Sequence, residues 1–148
     1  MTNVEMLATL KEHHRVIRSG LARIKSHCDS RCADGKQLSR ARVDLTQASR
    51  ARSAFVSDVI IPAILKRASD ADRAALSEFL VAFTSKTIIS DRHIAAWTDD
   101  TIAADVDGYC VAARTIWSMM EDQMARETRV LGERLRRPAG IALPVSRV

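Results

Sequence analysis

A carboxylate sits where a hydrophobic residue belongs. From Val106 onward the apolar residues Tyr109, Ala113, Ile116 with Trp117, Met120, then Val130 with Leu131 and Leu135 recur at helical spacing. Residues three and four apart share a helix face, so these form one seam. Between Met120 and Val130 the seam carries Gln123 and Glu127 instead of two more apolar residues. A carboxylate on a core-facing seam is costly unless something pairs with it. Glu127 therefore requires a partner, and the other seams offer histidines.

The first helix is expected from an Asn3 N-cap to about His27. Leu7, Leu10, His14, Ile17, Leu21 and Ile24 alternate steps of three and four, a seam of coiled-coil type. His14 lies in that seam and His13 on its flank, so one of the two points inward, and spacing leaves open which. Ser26 to Lys36 reads as a loop with Asp34-Gly35 as its turn.

A second helix is expected from about Gln37 to Lys66, with Pro62 kinking it or ending it early. Along it Ser49, Ser53 and Ser57 stand four apart. Such a ladder of small residues is expected to let two helices approach closely; facing a polar core, it would instead leave room for water or a ligand. Ser69-Asp70-Ala71-Asp72 resembles a capping arrangement opening a third helix, whose core face is Leu76, Phe79, Leu80 and Phe83. The β-branched run Thr87-Ile88-Ile89 is expected to break that helix, with Ser90-Asp91 recapping it. His93 then lies four residues from both Ile89 and Trp97, on the apolar side. The fourth helix is expected to start near Thr101 or Asp105 and to run to Leu135 or Arg137. Pro138 to Val148 is expected to be a short flexible tail.

Composition excludes several classes. The chain of 148 residues is 47% hydrophobic and 28% charged, which fits one globular domain, residues 1–137. The net charge of +5 invites a nucleic-acid reading, yet Arg136, Arg137 and Arg147 supply much of it at the end of the chain. The remaining charges are interspersed by sign, with no basic stripe broken by aromatics, so no nucleic-acid partner is expected. No apolar run approaches the roughly 20 residues of a membrane span, and MTNVEMLATLKEHH has no apolar leader core. A cytoplasmic location with reduced Cys28, Cys32 and Cys110 is expected. His27-Cys28-x3-Cys32 lacks the second ligand pair of a zinc site and reads as loop cysteines. There is no phosphate loop, nucleophile elbow, dinucleotide fingerprint or H-E-x-x-H, and no nucleophile with its base.

Four amphipathic helices with short connections specify an all-α, up-down-up-down four-helix bundle. His13 or His14, His93, and Gln123 with Glu127 place polar groups in three of its four seams. The segment Leu10-Lys11-Glu12-His13, then Asp91-Arg92-His93-Ile94, then Gln123-x-x-x-Glu127 resemble the histidine and carboxylate motifs of the hemerythrin-like, HHE cation-binding family. The resemblance spans roughly residues 7 to 135, and it implies a four-helix bundle with a non-haem iron site in its core. His13, His93 and Glu127 match that ligand set, whereas Ser53, Ser57, Trp97 and Gln123 stand where the family places other residues. The expectation is accordingly a divergent member with a weak, mononuclear or absent metal site, holding at most one Fe or Zn ion on His13, His93 and Glu127. Ser53, Ser57 and Gln123 would then line a site for a small-molecule ligand or a protein partner. A mononuclear Fe or Zn sensor and a helical interaction module are the alternatives, and an enzyme is not expected. Trp117 with Met119-Met120 could also form a homodimer face.

Overall fold

The computed structural model describes residues 1–30 and 34–137, and among these every regular element is helical. The helices are α1 (Asn3–Ser30), α2 (Gly35–Phe55), a wide π-turn (Val56–Ile60), α3 (Ile61–Leu65), α4 (Asp70–Ala96), α5 (Asp99–Ala104) and α6 (Val106–Arg136). The expected tail, 138–148, and Cys32 lie outside the described residues.

Local chemistry explains most boundaries. Asp34 is the N-cap of α2, accepting from the backbone N–H groups of Lys36 and Gln37, so Asp34-Gly35 opens a helix where a turn was expected. Ser69 caps α4 through the Asp72 N–H, Thr98 caps α5 through Thr101, and Asp105 caps α6 through Gly108. α1 runs one turn past His27, to Ser30.

Pro62 does not end its rod, which stays helical to Leu65. The backbone is right-handed helical from Phe55 to Ile61, and the N–H of Ile61 reaches the carbonyl of Val56, five residues back. Proline has no N–H and its ring crowds the carbonyl four residues earlier, here that of Asp58. A π-turn just before it re-spaces that stretch of the hydrogen-bond ladder. It also sets register. Five residues of ordinary α-helix turn the chain about 140° beyond a full turn. The wide turn instead brings Ile61 back over Val56, and Ile60, Ile61 and Ile64 are all buried.

The expected break at Thr87-Ile88-Ile89 does not occur, since α4 is continuous from Asp70 to Ala96. The propensity cost of β-branched residues is only tenths of a kcal/mol each, and Leu76, Phe79 and Phe83 hold this helix in the core. The Thr87 hydroxyl donates to the Phe83 carbonyl within the helix.

α1 packs against α2 and α6, and α4 packs against α6. Gly20 permits the first contact, because a Cβ there would stand 3.2 Å from Leu45 Cδ1. Two apolar clusters result. One gathers Ile17, Leu21, Ile24, Leu45, Tyr109, Trp117, Met120 and Met124; the other gathers Met6, Leu10, Val56, Ile60, Leu76, Phe79, Leu131 and Leu135. Trp117 and Met120 are therefore core residues. At the far end of the second cluster, Asp72 of α4 accepts from Arg134 and Arg137, tying the start of α4 to the end of α6. Burial alone would raise the Asp72 carboxyl, but Arg137 and Arg134 outweigh it and hold its pKa below the usual range.

Cys28 and Cys110 form a disulfide linking α1 to the first turns of α6, with Cα atoms 5.8 Å apart. Reduced thiols were expected. The two cysteines are 82 residues apart in sequence, and only the packing of α1 on α6 brings them together.

Candidate functional site

The two apolar clusters are separated by a polar layer. In chain order it falls between Leu10 and Ile17 on α1, between Leu45 of α2 and Val56 of the π-turn, and between Met124 and Leu131 on α6. Its members are His14, Arg52, Gln123 and Glu127, all buried, with Glu127 wholly so.

Glu127 is the hub. Its Oε1 lies 2.8 Å from Nε2 of His14. Its Oε2 accepts from Arg52 Nη1 at 2.5 Å and from Gln123 Nε2 at 2.8 Å. Arg52 also donates to Ser49 Oγ at 3.2 Å, and its guanidinium lies 5.9 Å from the centre of the Phe83 ring. Arg52 thus supplies the counter-charge that a buried carboxylate requires. The Gln123 amide is fixed by the same logic: its NH2 faces the carboxylate, so its oxygen is turned to other company. Both that oxygen, Oε1, and Arg52 Nε are buried without a hydrogen-bond partner. A buried acceptor left unpaired costs about 1–3 kcal/mol.

Of the two candidate histidines on α1, His14 is therefore the inward one. His13 is half-buried against Phe55, with ring centroids 5.3 Å apart. Burial, then repulsion from His14 and Arg52, lowers its pKa. His93 stands elsewhere, edge-on to Tyr109 at 5.9 Å, and burial followed by the charge of Arg42 lowers its pKa. Arg42 itself packs over the Tyr109 ring and donates to the Trp97 carbonyl. Among the described residues no three His, Cys, Asp or Glu side chains are grouped to hold a metal ion. At Glu127 both oxygens are engaged and the neighbouring cation is a guanidinium, so the donor set there does not fit a metal.

Beside the polar layer lies a pocket of about 280 Å³ between α2, α4 and α6. Ser49 and Ser53 of the serine ladder line it with Gln123, Arg52, Thr46, Thr87 and Ser90, while Ser57 is exposed and outside it. The ladder thus borders open space over part of its length, where close packing was expected. The pocket wall also carries Arg50, Lys86 and Asp91.

Arg52 is the member that the sequence reading missed. Its signal was available: Leu38, Ala41, Leu45, Arg52 and Val56 step by three, four, seven and four, which places the arginine in the α2 seam, opposite an unpaired carboxylate. No protein-family model, curated protein or solved structure matches this chain.

Proposed function

We propose that this chain is an up-down-up-down four-helix bundle, divergent from the hemerythrin-like family, that binds a small molecule in the pocket beside its polar layer. The observation that carries this reading is Gln123. Glu127 fixes its amide orientation, its oxygen has no partner, and its side chain stands in the pocket wall. That oxygen is itself covered, so a ligand hydroxyl or N–H would satisfy it once the Gln123 side chain shifts toward the pocket. The pocket's size, about 280 Å³, lies at the lower end of ligand pockets and suits a small ligand. In this reading Glu127 is paired with Arg52 and hydrogen-bonded to His14, and it positions Gln123 without a metal.

The location proposed with this reading is aqueous, as no described helix is long and apolar enough to cross a membrane. The cytoplasm expected from sequence is a reducing medium in which disulfides rarely persist, so the redox state of Cys28 and Cys110 discriminates that compartment from an oxidising one.

Benzyl alcohol, which offers one donor on a small apolar ring, is the probe. In ligand-observed NMR the wild-type chain is expected to give saturation transfer to it. A Ser53→Trp variant, which fills the pocket from a half-buried position, is expected to abolish the signal while leaving the helical circular dichroism intact. Absence of any transfer to benzyl alcohol from the wild-type chain overturns the reading, as does transfer that Ser53→Trp leaves unchanged.

A further inference from the structure

The pocket adjoins a second, smaller void of about 60 Å³, and five residues, Thr46, Ser49, Ser90, Ile94 and Met120, line both. The two differ in the charge they carry. The larger pocket has Arg50, Lys86 and the Glu127-bound Arg52 against the single carboxylate of Asp91. Even with Arg52 counted as spent on Glu127, the remaining groups leave an excess of positive charge there. The smaller void is lined by Ile24, Leu45, Ile116 and Trp117, with His93 and Tyr109 at one side and the shared hydroxyls of Thr46, Ser49 and Ser90 at the other. Burial holds His93 toward its neutral form, and burial likewise keeps the Tyr109 hydroxyl protonated by raising its pKa, with Arg42 only partly offsetting this. The one permanent charge on its wall is Arg42, which is engaged by Asp99 and the Trp97 carbonyl.

We infer that the ligand is a small carboxylic acid with an apolar body: its carboxylate lies near Arg50 and Lys86, its body fills the larger pocket against Phe83, Ile94 and Met120, and its far end points toward the small void beside Trp117. This inference rests on the binding reading above and adds a ligand class to it. A purely apolar molecule would leave the cationic side unused, and a bare anion would leave the apolar lining of Phe83, Ile94 and Met120 uncovered. An acid with a short apolar body matches both at once, because apolar area gives affinity and the charge gives orientation.

The test uses phenylacetate, with phenylacetamide as its uncharged counterpart and acetate as the charge without a body, each titrated by calorimetry into the full chain. Phenylacetate is expected to bind about fivefold or more tightly than phenylacetamide, the scale of one partly exposed charge interaction, and acetate is expected to bind too weakly to measure. Lys86→Ala, a wall position outside the core, is expected to weaken phenylacetate by about threefold and leave phenylacetamide unchanged. Ser90→Phe, at the junction of the two spaces, is expected to abolish both. Equal or tighter binding of the amide, or indifference to Lys86→Ala, overturns the acid assignment. If benzyl alcohol still binds in that case, the binding reading stands without it. Silence of all three titrants together with benzyl alcohol overturns both.

Discussion

Glu127 Oε1 and His14 Nε2 stand 2.8 Å apart although 113 residues separate them in sequence. The carboxylate's second oxygen holds Arg52, so three rods meet at a single side chain. Glu127→Gln leaves the Arg52 guanidinium buried without its counter-charge. A loss of about 3–5 kcal/mol is expected in urea denaturation, the usual cost of breaking a buried pair from one side. The Arg52→Leu/Glu127→Leu double variant is expected to cost clearly less than the two single changes added together. A Glu127 held by a metal would show another pattern, with Fe(II) or Zn(II) retention lost in Glu127→Gln at little expense in stability.

His13 and His93 give the fold a pH dependence on the acid side. Both have pKa values lowered from 6.5, chiefly by burial. Between the folded and unfolded values the unfolded chain binds more protons, so stability rises with pH through that window. It is complete above 6.5 and declines as pH falls toward the folded values. The melting temperature is expected to be lower at pH 5 than at pH 7.5, and His93→Gln to flatten part of that slope. An equal slope in the variant would remove His93 from the account.

The Cys28–Cys110 bond joins residues 82 apart. A cross-link of that span removes up to about 4.5 kcal/mol of unfolded-chain entropy in the loop-closure treatment, and measured values are commonly smaller. Dithiothreitol is expected to lower the melting temperature and to raise the thiol titre of the denatured chain by two. No rise in titre would show that the chain was isolated with both groups as thiols.

Asp105 and Gly108 form one cap. A Cβ at Gly108 would fall 2.1 Å from Asp105 Oδ2, so Gly108→Ala must drive that carboxylate off the backbone N–H it accepts from. Asp105→Ala is expected to cost about 1 kcal/mol in the wild-type chain, and almost nothing in a Gly108→Ala background. Additive losses by thermal denaturation would separate the two residues.

Much of this architecture can be read before folding is considered. Most of the α1 and α6 seams is buried as its spacing requires, with Leu7, Ile116 and Val130 only partly covered and Met6 buried in addition. Glu127 has acquired the partner its position demanded. What resists reading is set by geometry between rods. Adjacent histidines differ by about 100° around a helix, and only the direction of α6 selects His14 over His13. Ser49, Ser53 and Ser57 share one spacing, yet the wall of the pocket ends before Ser57. Thr87, Ile88 and Ile89 are exposed, and their propensity cost was too small to break a helix anchored at Leu76, Phe79 and Phe83. The cysteine pair depended on a contact that neither neighbourhood encodes.

The π-turn at Val56–Ile60 has a consequence for how this chain could change length. Elsewhere in a rod, losing one residue swings everything beyond it by about 100° and carries the apolar stripe out of the core. Here Ile61 bonds back to Val56 across five residues, so deleting one residue would tighten the wide turn into an ordinary one with little rotation of Ile64. This short segment is the place where an insertion or deletion could pass without turning the rod inside out.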